Sequence, residues 1–230
     1  MDAVGTVIEP SPAVADAYLA TAQSHGITLD RETIRRRFRQ AISTYSVHAF
    51  QTKQGVDDPL RTTEETEVAR WRAIVQFVLS PEPEKQNAVF QHLWDHFGQA
   101  QNWRIFEDVS PALSRLADAG FRLGLASNFD QRLRPIVECL LPTYDLSLFI
   151  SSEVGWVKPA TAFYERVTES LDCEPHEILL IGDDWKNDVQ APRVFGWQTL
   201  YLTRSQRPGE GDISNNYLTL SDAIVAILDR

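Results

Sequence analysis

The run Glu177-Ile178-Leu179-Leu180-Ile181, apolar after its first residue, stops at Gly182-Asp183-Asp184 and is followed by Asp188. A run of this length bounded by a glycine reads as a strand buried on both faces of a parallel sheet. Carboxylates just past its end are costly unless something positive faces them. A divalent cation, which prefers oxygen ligands, is the usual solution. In an open α/β sheet, ligands also bind beyond the C-terminal ends of the strands. This one segment therefore points to a fold, a site and a metal. The competing reading is an ordinary acidic loop solvated at a strand end.

The rest of the chain falls into two grammars. Residues from about 12 to 103 read as amphipathic helices with no clear strand. Ile34, Phe38, Ala41, Ile42 and Tyr45 recur at helical spacing, with Arg35, Arg36, Arg37 and Arg39 between them. Trp71, Ile74, Val75, Val78 and Leu79 form a second stripe, ended by Ser80-Pro81. Val89, Phe90, Leu93, Trp94 and Phe97 form a third, ended by Gly98.

From Phe106 onward, strands alternate with helices. Ser110-Pro111 predicts a helix start that runs to Gly120. Strands are expected over Phe121 to Ala126, Leu146 to Ser151, the run ending at Gly182, and Gln198 to Thr203. Helices are expected over Asp130 to Leu140, Thr161 to Leu171, Asp188 to Phe195, and Ser221 to Leu228. Such alternation implies a parallel sheet with right-handed crossovers. The expected organisation is an α/β core from residues 1–11 and 104–230, interrupted by a helical insertion over 12–103.

A net charge of −10 argues against a nucleic-acid or anionic-membrane surface. Two cysteines, Cys139 and Cys173, make no metal-ligand spacing and suit a reducing compartment. No run approaches the ~20 apolar residues needed to span a bilayer. No signal-peptide pattern is visible at the N-terminus, so a cytoplasmic location is expected.

Four short segments carry the chemistry. They are Asp2-Ala3-Val4-Gly5-Thr6, then Ser127-Asn128, then Lys158-Pro159, then Gly182-Asp183-Asp184 with Asp188. In this order and spacing the chain resembles the haloacid dehalogenase (HAD) superfamily. The resemblance implies a Rossmann-like parallel sheet and makes the helical insertion a C1-type cap. It makes Asp2 the nucleophile that forms an aspartyl-phosphate. Asp183, Asp2 and the backbone carbonyl of Val4 would hold Mg²⁺. Asp184 and Asp188 would hold Lys158 and the metal's waters. Lys158 and Ser127 would bind the phosphoryl oxygens, and Thr6 and Asn128 would also face the substrate, a small phosphorylated molecule. A monomer or homodimer is expected.

One position departs from the pattern. Phosphatase branches carry a second Asp two residues after the nucleophile, which protonates the leaving oxygen. Val4 stands there. General acid–base help is typically worth ~10²–10⁴-fold, so hydrolysis is expected to be weak. His25 or His48 on the cap could substitute for it, or the substrate could have a good leaving group. A closer likeness is to HAD-like hydrolases without assigned substrates. They share the missing second Asp, a second motif like Ser127-Asn128-Phe129-Asp130, and an aromatic residue at the position of Trp185. Two alternatives stand beside this reading. One is a catalytically silent binding protein of the same fold. The other, weaker one is a metal-free 2-haloacid dehalogenase, in which Arg35 binds a carboxylate or halide.

The resemblance also places the nucleophile at the end of a central first strand. Only Met1 precedes Asp2, so that strand is truncated. The expectation is a gap beside the strand that ends at Gly182, with five to eight mostly apolar residues encoded upstream.

Overall fold

The computed structural model describes residues 1–204 and 216–228. After a tight turn the chain forms β1 (Ile8–Pro10), then leaves the sheet region for a lobe of five α-helices. These are α1 (Val14–Ser24), α2 (Arg31–Thr44), α3 (Val47–Lys53), α4 (Glu64–Leu79) and α5 (Gln86–Gly98). It returns through β2 (Trp103–Ile105), which pairs antiparallel with β1, Pro10 opposite Trp103. The two strands make a neck between the helical lobe and the rest of the chain. Neither is visible in the sequence, because three residues carry no period.

The helices begin where local chemistry starts them. The Asp30 carboxylate accepts the Thr33 amide at 2.8 Å, capping α2. Thr63 caps α4, and Glu64, Glu65 and Glu67 place negative charge at its positive end. The stripes read from the sequence become the lobe's own core: Ile34, Ala41, Ile74, Val78, Val89 and Leu93 are buried together with Tyr18. Inside this lobe the buried Glu67 carboxylate takes the guanidinium of Arg70 at 2.6 Å and the Thr62 hydroxyl at 2.8 Å. Arg35, Arg36 and Arg39 lie on the exposed face of α2, whereas Arg37 donates to the carbonyl of Val78.

Beyond the neck come α6 (Val109–Asp118), β3 (Leu123–Ser127), α7 (Leu133–Leu140), β4 (Leu146–Ile150), α8 (Ser151–Val154) and α9 (Thr161–Leu171). Then follow β5 (Leu179–Gly182), α10 (Ala191–Phe195), β6 (Gln198–Leu202), β7 (Asn216–Tyr217) and α11 (Leu220–Leu228). β3 pairs parallel with β4, and β5, β6 and β7 form a second parallel set. The fold is thus α/β with parallel sheets, as expected.

Three local readings are corrected. The helix expected from Ser110-Pro111 starts at Val109, with Asp108 at its cap position. The Asp108 carboxylate makes no cap bond. It accepts from Arg204 and from the Leu220 amide, so tertiary partners displace the local signal. The single helix expected from Asp188 to Phe195 is a π-type turn, Trp185–Gln190, followed by α10. Strand β7 was not expected at all. Among the described residues no helix is long and apolar enough to cross a membrane.

Among the described residues β3 and β5 belong to separate sheets. Among the described residues, the backbone bonds linking β3 to β5 all run through Met1 and Asp2. The Met1 amine donates to the Gly124 carbonyl at 2.8 Å, and the Ala126 amide donates to the Met1 carbonyl at 2.9 Å. The Asp2 amide then donates to the Ile181 carbonyl at 2.8 Å. Behind this two-residue bridge lies a cavity of about 190 Å³ walled by Leu123, Phe149, Leu179 and Ile181. The bridge nonetheless seats Asp2 at the C-terminal end of the sheet, between the ends of β3 and β5.

Candidate active site

Asp2 is buried at the end of the two-residue bridge. The next turn is set by Gly5, whose φ of 92° disfavours any side chain. A Cβ there would also occupy the space of the Asp183 carboxylate. The turn therefore closes directly onto Asp183, and the Thr6 hydroxyl donates to Asp183 Oδ1 at 2.9 Å. From the far side, Arg204 donates to the Thr6 carbonyl and is itself held by Asp108 at 2.9 Å. Arg204 lies 198 positions from Thr6, and nothing local in the sequence marks this role.

Lys158 arrives from the loop after α8. Its ammonium is buried and donates to Asp2 Oδ1 at 2.8 Å, Asp188 Oδ1 at 2.6 Å and the Ala126 carbonyl at 2.7 Å. The loop is fixed by Asn128. Its amide nitrogen donates to the Lys158 carbonyl at 2.8 Å, and its amide oxygen accepts the Lys158 amide at 2.7 Å. The Lys158–Pro159 bond is cis. The Asn128 side chain is thus committed to the backbone of Lys158, while Asn128 lines the cavity beside Ser127.

Asp184 does not bond Lys158. Its carboxylate accepts the backbone and side-chain nitrogens of Asn187, both at 2.9 Å, capping the π-type turn rather than holding Lys158. Asp188 bonds Lys158, and its second oxygen accepts the Asp184 amide at 3.0 Å. Gly182 permits this, since a Cβ there would collide with the Asp188 carboxylate.

Carboxylate oxygens of Asp2, Asp183 and Asp188 lie within 4.8 Å of one another. Burial, with the nearby carboxylates of Asp188 and Asp183, pushes the Asp2 carboxyl up to about 7 against the pull of Lys158. Partial burial and Asp188 also raise Asp183, opposed by the Thr6 hydrogen bond. Burial works to lower Lys158, and the carboxylates of Asp188 and Asp2 overcome it and hold its pKa raised. When all three carboxylates are ionised, one ammonium leaves two negative charges uncompensated. A hard divalent cation fits that donor set. A cavity of about 210 Å³ opens over the cluster, walled by Asp2, Val4, Ser127, Lys158 and Asp183.

Asp2, Val4, Ser127, Asn128, Lys158, Asp183, Asp184 and Asp188 therefore share one cavity, with Thr6 bonded to its rim. Arg35 does not join them; it is exposed on α2 and pairs with Glu32 at 3.6 Å. His25 faces His92 at 3.2 Å, and His48 is exposed on α3, so neither reaches the cavity. Trp156 sits at the seam with the helical lobe, its indole donating to Asp58 at 2.8 Å and packed by Arg61 and Arg166.

The chain is similar in sequence and fold to known proteins. The chain is 25% identical over 210 residues to the human haloacid dehalogenase-like hydrolase domain-containing protein 3, covering 89% of this chain and 81% of that one. It is 28% identical over 156 residues to a phosphoglycolate phosphatase of Escherichia coli K12, covering 63% and 60%. Among solved structures, a HAD phosphatase from Thermococcus onnurineus superposes with a TM-score of 0.64 at 19% identity, over 98% of this chain and 95% of that one. The L-2-haloacid dehalogenase of Xanthobacter autotrophicus superposes with 0.71 at 17% identity, over 99% and 96%. At these identities the structural likeness establishes the fold. The family profile described as haloacid dehalogenase-like hydrolase matches residues 1–196, and the chain belongs to that family.

Proposed function

We propose that the protein is a Mg²⁺-dependent phosphohydrolase that works through an aspartyl-phosphate on Asp2 and favours esters with good leaving groups. The observation that carries this reading is the Lys158 ammonium, buried between Asp2 and Asp188 beside Asp183. Asp2 and Asp183, with the Val4 carbonyl, would hold the metal. When bound, Mg²⁺ supplies positive charge to the phosphoryl oxygens and helps align them.

Asp2 Oδ1 is bonded to Lys158, while Oδ2 makes no hydrogen bond among the described residues. That free oxygen attacks phosphorus, the bond to the leaving oxygen breaks, and the electron pair departs with that oxygen. Water then attacks phosphorus, inorganic phosphate leaves, and the Asp2 carboxylate is restored. Lys158 screens the carboxylate and contacts the transferring oxygens, and Ser127 at the cavity wall binds them. The helical lobe over 12–103 serves as the cap, hinged at the β1–β2 neck. Val4 has no proton to give, so the leaving oxygen departs unprotonated.

The test is hydrolysis of 4-nitrophenyl phosphate with and without Mg²⁺, together with trapping of labelled phosphate on the protein. Turnover that needs Mg²⁺ and is abolished, with the label, by Asp2→Asn supports the reading. No phosphate release in either condition would identify a silent binding protein. Halide release from a 2-haloacid without metal would identify a dehalogenase.

A further inference from the structure

A third cavity, of about 260 Å³, lies between the helical lobe and the core beside the candidate site. Val4 and Asn128 line both spaces. Its walls are aromatic, with Phe38, Trp71, Trp94 and Phe129 among them. The charged side chain in its wall is Arg132, and that group is already committed. Its guanidinium bonds both oxygens of Asp130 at 2.7 Å and the Trp94 carbonyl at 2.9 Å, and lies 3.4 Å over the Trp94 ring. Asn128 is likewise tied to the backbone of Lys158. A sugar or polyol entering here would lose its hydrogen bonds to water with few replacements.

Tyr18 is the hydroxyl-bearing residue among the lining side chains. Tyr18 is 1% exposed and lines the wall, and its hydroxyl makes no hydrogen bond among the described residues. A hydroxyl with no protein partner can donate to or accept from a ligand atom that reaches it.

We propose that this cavity carries an aromatic, largely apolar group of the ligand, with one polar atom within reach of Tyr18. Resting on the phosphohydrolase reading, that group is the alcohol portion of the ester. The position that lacks a general acid then has a second use, because Val4 joins the apolar space to the phosphoryl site where an Asp would interrupt it. An aromatic alcohol is also a good leaving group, so pocket and chemistry select the same substrates.

Two measurements test this. In the first, 1-naphthyl phosphate is compared with acetyl phosphate, whose leaving group is the more acidic. The cavity predicts a higher kcat/KM for the naphthyl ester despite its poorer leaving group. Val14→Trp, which fills the cavity from α1, should cut the naphthyl-to-acetyl ratio by roughly tenfold or more. In the second, indole, which has no phosphoryl group, is titrated while backbone amide shifts are followed by NMR. Shifts clustered on α1, α2 and α5 that vanish in Val14→Trp are expected, with thermal melting showing that the variant is folded. If the variant melts early, Phe38→Ser takes its place. Indole binding without hydrolysis of any ester keeps the cavity assignment and overturns the phosphohydrolase reading. Hydrolysis that follows leaving-group acidity alone, with no indole binding, overturns the cavity assignment and keeps the other.

Discussion

Under the proposed function most of the chemistry turns on Asp2, and its environment sets a pH dependence. Burial and its carboxylate neighbours hold it at about 7, above the 3.8 of a free carboxyl. The folded state therefore keeps a proton that the unfolded chain releases. Stability from this group is full below about pH 4, falls as pH rises toward 7, and is level above that. Asp2→Asn removes the effect. In metal-free buffer the melting advantage of the variant over the native protein should grow between pH 5 and pH 8, and an unchanged difference would refute the assignment. Gly5→Ala should cost ~1–2 kcal/mol in urea unfolding from its positive φ alone. Because it also displaces Asp183, it should weaken Mg²⁺ binding, read by calorimetry, by roughly tenfold or more. Val4→Asp should raise turnover of poor-leaving-group esters by up to ~10²–10⁴-fold and flatten the dependence on leaving-group pKa.

The residues that meet in the candidate-site cavity were legible through four short motifs whose order and spacing carry the family resemblance. Charge alone left the acidic cluster after Gly182 open between a metal site and a solvated loop. What several of the side chains hold was not legible. Asn128 and Asp184 turn inward to backbone groups, and Arg204 and Asp108 act across nearly the whole chain. Such pairings are set by tertiary approach, which leaves no local spacing to read.

Among the elements, the long helices and the strands of the core follow their sequence periods, because apolar stripes need a face to bury. The errors concentrate where an element is short or where a distant partner intervenes, as at the neck and at Asp108. One element carries a buried ion pair that no periodicity announces. Glu67 and Arg70 lie within α4, with Arg70 also reaching the Tyr45 carbonyl and stacking on Trp71. Removing one partner leaves a buried charge uncompensated. Glu67→Ala should therefore destabilise the protein by ~3–5 kcal/mol, measured by urea unfolding.

At the scale of the whole molecule, two half-sheets are joined through Met1 and Asp2, and a lobe with its own core sits on a two-strand neck. Extending the chain at Met1 with four apolar residues would fill the cavity between β3 and β5. Each side chain buried there contributes ~1.5–3 kcal/mol before ordering costs. The melting temperature should rise by at least ~5 °C, and no rise would mean that the seam is already satisfied. The seam also bears on how molecules meet one another. Facing strands with few backbone partners form a template that any extended segment can complete, including one from a neighbouring molecule. Loss of soluble protein on gentle warming should therefore steepen with protein concentration. The extended chain, carrying its own strand in the seam, should lose that dependence.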